Sequence, residues 1–128
     1  MSHLSSLTSK LDDIEAIKDA CKELGLSIRE GGTVRYYYQQ SNTKADYIIS
    51  IPGCNYDVGL SKDVKTGTYN LIYDKYGNYV ESKLGKNCSK LVQSATYHKL
   101  ARGAKLKGCF ISKKVTDKGT LKVEILVQ

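Results

Sequence analysis

The side chains of this 128-residue chain best suited to chemistry are four cysteines, two histidines and a few carboxylates. Cys21, Cys54, Cys88 and Cys109 lie 33, 34 and 21 residues apart. No two are close enough for a zinc knuckle or a dithiol redox motif. With only His3 and His98 to complete a ligand set, no metal site is expected, and the thiols read as buried and free in a reducing compartment. Nucleophilic catalysis needs a Cys or Ser with a base in reach. Cys88 and Cys109 flank the segment carrying His98, but nothing supplies a third, orienting group. Asp57 and Asp74 are the candidate paired carboxylates, and turn or ladder-end roles explain them equally. Neither a Gly-x-x-x-x-Gly-Lys loop nor a Gly-x-Gly-x-x-Gly run is present, which disfavours an ATPase or a dinucleotide enzyme. No cofactor is expected, and a thiol-dependent enzyme is the weakest of the functions weighed. The chain reads as non-enzymatic.

Charge gives a stronger signal. The net charge is +7, unevenly placed. Residues 1–64 hold seven Lys/Arg and nine Asp/Glu, a balance of −2, whereas residues 65–128 hold thirteen and four, a balance of +9. No acidic residue lies between Glu81 and Asp117. A positive field of this kind suits a polyanion or an acidic protein. The competing explanation is a solvated surface partly neutralised in space by the acidic first helix. Aromatic usage is also skewed, since ten of the eleven rings are tyrosines. Buried hydroxyls need partners, so many of these rings are expected to keep wet tips.

The elements that would position these groups follow from periodicity. Ser2 to Lys10 reads as a first strand. Asp12 as N-cap with Glu15 three residues later suggests a capping box. Ile14, Ile17, Cys21 and Leu24 then recur at helical spacing up to a Gly25 cap. Strand signals follow at Val34–Tyr38, Tyr47–Ile51, Asp57–Leu60 and Thr68–Tyr73, with turns at Pro52-Gly53, Gly67 and Tyr76-Gly77-Asn78. A second helix over Ser89–Lys107 places Tyr97, Leu100, Ala101 and Ala104 on a core face, with His98, Lys99, Arg102 and Lys105 opposite. Phe110–Val115 and Leu121–Val127 form a closing hairpin around Thr116–Gly119. The expected fold is α+β, one domain over residues 1–128: a single antiparallel sheet with two helices, in the order β-α-β-β-β-β-α-β-β.

No apolar run approaches the roughly 20 residues of a membrane-spanning helix, and the first residues resemble neither a signal nor a transit peptide. A cytoplasmic protein without membrane contact is expected. Helices on one sheet face would leave the other open, for a ligand or for a homo-oligomer contact.

Several segments carry a resemblance in order along the chain: Met1-Ser2-His3-Leu4-Ser5, Asp57-Val58-Gly59-Leu60, Gly67-Thr68-Tyr69-Asn70-Leu71, Leu84-Gly85, Gln93-Ser94-Ala95-Thr96-Tyr97-His98-Lys99, and Gly108-Cys109-Phe110 through Gly119-Thr120-Leu121. Together they resemble the family named after hypothetical chloroplast reading frame thirty-five, a domain of unknown function in plastids, cyanobacteria, other bacteria and phages. Members often carry paired tryptophans after the central hairpin, where this chain has Lys75-Tyr76 and no Trp. The resemblance implies a cytosolic or stromal setting and, from members encoded near AAA+ ATPases, a partner or adaptor role.

The leading expectation is therefore a small binding protein for RNA or single-stranded DNA. Lys99, Arg102, Lys105, Lys113 and Lys114 would neutralise phosphates, while Arg35 and Tyr37 would stack bases on an open sheet face. The alternative is an adaptor or regulatory partner of a larger protein, such as an AAA+ ATPase, using the same surfaces.

Overall fold

The computed structural model describes residues 4–36, 39–75, 78–115 and 121–127. In chain order the elements are β1 (Leu4–Thr8), α1 (Ile14–Leu24), β2 (Ser27–Tyr36), β3 (Gln39–Ser50), β4 (Asp57–Lys62), β5 (Tyr69–Asp74), α2 (Glu81–Leu84), a 3-10 turn (Lys86–Cys88), α3 (Ser89–Leu106), β6 (Cys109–Val115) and β7 (Leu121–Val127). This is the expected α+β order with one short helix added before α3. The turns expected at Tyr76-Gly77 and Thr116–Gly119 lie outside the described residues, as do His3 and Tyr37.

Helix α1 forms where its apolar period demands, but its cap is Asp13 rather than Asp12. The Asp13 carboxylate accepts from the backbone N–H groups of Glu15 and Ala16, at 3.0 and 3.2 Å. This satisfies donors that have no partner inside the helix and leaves Asp12 free to point elsewhere. Gly25 ends the helix at φ 72°, with Leu26 N–H donating back to the Cys21 carbonyl. That closure needs a left-handed residue.

Strands β1 to β5 form one antiparallel sheet in the order β1-β5-β4-β3-β2. The hairpin at Gly67 joins β4 to β5 as expected. Strands β6 and β7 pair with each other, Cys109 opposite Val127 through Val115 opposite Leu121, as a separate ribbon that touches α3. The 18 residues of α3 carry the chain about 27 Å, and β6 begins three residues after the helix ends, so the ribbon starts at the far end of α3.

One sheet face carries the main core. Ile49, Val58, Leu60, Leu71 and Tyr73 pack there with Ile17, Ala20 and Cys21 of α1 and Leu91 and Ala95 of α3. The opposite face, expected to be open, is partly covered by the chain itself. Strands β2 and β3 run 10 and 12 residues against six in β4 and β5. Strand β2 reaches past its neighbour β3 to touch β4 and β5. Val34, Ala45 and Ile48 form a second buried cluster there, with Leu4 packed against it. Gly59 of β4 leaves the room they need: a Cβ on it would stand 2.5 Å from Val34 Cγ2 and 3.0 Å from Ala45 Cβ. Among the described residues, no helix is long and apolar enough to cross a membrane.

Candidate binding surface

Three places in the fold gather the residues that could do something: the α1–α3 seam, the anchor of the β2–β3 hairpin, and a groove beside β1. At the seam, α3 does not present the face its pattern suggested. Its buried residues are Leu91, Ser94 and Ala95, and Leu100, expected in the core, is 46% exposed. The nominally solvent-facing row turns toward α1 instead. Lys99 Nζ meets Asp12 Oδ1 at 2.6 Å. Arg102 donates from Nε and an Nη to Asp19 Oδ2, at 3.1 and 2.7 Å. His98 Nε2 lies 3.7 Å from Glu23 Oε1, whose other oxygen accepts from the Ser94 hydroxyl.

The physical reason is that α1 and the residue ahead of its cap lay an acidic row, Asp12, Asp19 and Glu23, against the middle and end of α3. Small residues (Ala16 and Ala20 on α1, Ser94 and Ala95 on α3) let the helices approach. Beyond Ala95 the contact is then decided by charge, not by apolar period. Of the residues expected to bind phosphate, Lys99 and Arg102 are thus already paired within the chain. The neighbouring aspartate holds the Arg102 guanidinium above its usual pKa. Lys105 is exposed and has no carboxylate partner among the described residues. Lys113 and Lys114 lie in β6, but their side chains are outside what is described.

The hairpin anchor is built on Asp57, fully buried at the start of β4. Its Oδ2 accepts from the backbone N–H and Nε of Arg35, both at 3.1 Å, and its Oδ1 from an Arg35 Nη, also at 3.1 Å. The Ser50 hydroxyl stands 3.4 Å from Oδ1, and Arg29 donates to Ser50 Oγ at 3.0 Å. A buried carboxylate is tolerated only with this degree of pairing. The bond to Asp57 raises the Arg35 pKa above its ordinary value. Arg35, expected on an open stacking face, is in place the clasp that holds β2 over β4. Its proposed companion Tyr37 lies outside the described residues.

The groove measures about 700 Å³ and lies between the end of β1, the start of α1 and one side of α3. Leu7, Leu11, Val92 and Leu100 give it an apolar lining, and Lys10 and Lys86 stand at its rim. Sequence reasoning missed it because it is assembled from segments 70 or more residues apart. The only sequence signal was Leu100, an apolar residue on a helix face with too little core to cover it.

Cys21 and Cys88 are buried free thiols, and Cys54 is half-buried. Burial pushes the Cys21 and Cys88 thiols up to about 12. Cys88 and His98 are ten residues apart along α3, about 15 Å, so they do not meet. Among the described residues, no group of three His, Cys, Asp or Glu side chains could hold a metal ion. Among the described tyrosines, Tyr36, Tyr47, Tyr79 and Tyr97 are partly or fully exposed, whereas Tyr56, Tyr69 and Tyr73 are buried, and Tyr73 donates to Glu81 at 3.0 Å. Tyr56 stacks on Tyr79, with centroids 4.9 Å apart.

Residues 20–123 match the family model described as protein of unknown function (DUF1257). No curated protein and no solved structure matches the chain. The chain belongs to that family of unknown function.

Proposed function

We propose that this family member is a non-catalytic binding module whose ligand is another protein, an adaptor or regulatory partner in role. The observation that carries the proposal is where its cations go. Arg35, Lys99 and Arg102, three of the groups a polyanion would need, are each matched by a carboxylate from the first half of the chain. Those carboxylates would have to be displaced before phosphates could take their place. A partly exposed Leu100 beside an apolar groove is, by contrast, a feature of protein contacts. An ATPase of the AAA+ type is the partner class to which the family resemblance points.

Binding of RNA or single-stranded DNA is the second reading, favoured by Lys83, Lys86, Lys90 and Lys105, which are exposed and without carboxylate partners among the described residues. Co-purification from the host with and without nuclease separates the two. A nuclease-resistant protein partner whose affinity changes little with salt supports the proposal. A nuclease-sensitive complex that weakens steeply with salt refutes it.

A further inference from the structure

The groove beside β1 has a charge and a chemistry that specify its occupant more closely than "a protein". Two carboxylates line it, Asp12 and Asp13, and neither is available. Asp12 is held by Lys99 and Asp13 caps α1. Lys10 and Lys86 at the rim are exposed and have no carboxylate partner among the described residues. Lys86 also stands just ahead of the α3 N-terminus, whose first turn has no acidic residue and whose dipole favours negative charge. Most of the exposed surface of the groove is nonetheless apolar, and Leu100 at its edge is nearly half exposed. At about 700 Å³ the groove is of ligand-site size, with room for a few leucine-sized side chains and little more.

From this juxtaposition we infer that the groove docks a short acidic amphipathic segment of a partner protein. Its apolar side chains lie on Leu7, Leu11, Val92 and Leu100, and its carboxylates face Lys10 and Lys86. The inference rests on the protein-partner reading above and adds the place and the chemistry of the contact. A second copy of this chain is disfavoured as occupant, because two molecules of net charge +7 repel. A polynucleotide offers phosphates and bases to a lining that wants aliphatic carbon.

The test uses the full chain and a synthetic peptide in which leucine pairs alternate with glutamate pairs, followed by backbone amide NMR. Binding should shift the amides of Leu7, Val92, Ala95 and Leu100. Leu100→Asp, or Lys10→Glu with Lys86→Glu, should each weaken it about tenfold or more, with the spectra of the variants otherwise those of a folded chain. A peptide with lysine in place of glutamate should not bind. Shifts elsewhere, equal binding of the lysine peptide, or variants that bind like the parent overturn the inference. So does a single-stranded oligonucleotide that displaces the peptide, or a parent dimer that Leu100→Asp converts to monomer. The two proposals fail separately. A native protein partner retained equally by the parent and the Leu100→Asp variant sinks the groove and leaves the adaptor reading standing. A native complex that nuclease removes sinks the adaptor reading itself.

Discussion

The hairpin anchor and the α1–α3 seam both join an arginine to an aspartate, yet they do different things. At the anchor, Asp57 is fully buried and receives three bonds from Arg35, one of them from the backbone. At the seam, the Arg102 and Asp19 side chains are 46% and 40% exposed, so water solvates both. Burial makes the first pair a structural requirement, because Asp57 without Arg35 would be left a charge unpaired away from solvent. Exposure makes the second a matter of charge bookkeeping, which fixes the electrostatic face of α3 and adds little to stability. Cations that look alike in the sequence therefore differ in role according to the depth of the carboxylate they meet.

The sharpest way to break this contrast is Asp57→Ala. It should destabilise the fold by about 3 kcal/mol, the lower end for a broken buried pair, since Arg35 is partly exposed and can turn to water. Urea unfolding reads the loss, and the amides of Val34 and Ala45 should lose hydrogen-exchange protection first. Gly59→Ala strikes the same anchor sterically and should cost roughly 1–3 kcal/mol, because the added carbon would overlap Val34 and Ala45. A smaller effect is expected from Asp13→Ala, about 1 kcal/mol for a lost helix cap, and Asp12→Ala should cost measurably less in the same assay. Arg102→Ala should leave the unfolding midpoint within error of the parent. Any coupling to Asp19 in a double-mutant cycle should vanish in 1 M salt, whereas the Asp57→Ala penalty should persist. A seam as costly as the anchor would show that solvent exposure does not separate the two.

The segments with the strongest local signals were legible in the sequence. The α1 stripe with its Gly25 stop, the Gly67 hairpin and the pairing of the last two strands each follow from a period and a turn residue acting over a few positions. The Asp57-Val58-Gly59-Leu60 segment stood out as part of a family resemblance, but its role did not. Asp57 and Gly59 matter because Arg35 and Val34 arrive above them from 20 or more residues away. The cap position was off by one, since Asp12 and Asp13 are equivalent in composition and only the helix entry angle chooses between them.

The site was less legible than the fold. The pattern of α3 gave its length, yet its orientation was set by the acidic row of α1, which no local window contains. Leu100 was assigned to the core because apolar residues at helical spacing usually find one, and here the core ends at Ala95.

By itself, then, the sequence determined the order of elements, the helix and hairpin signals, and the surplus of positive charge in the second half. These depend on propensity, period and composition, which act locally or by simple summation. Tertiary structure alone decided which cations remain unpaired, which sheet face is covered, and where apolar surface is left beside β1. Each of those is a distance between residues far apart in the chain, and electrostatic and steric energies depend on distance.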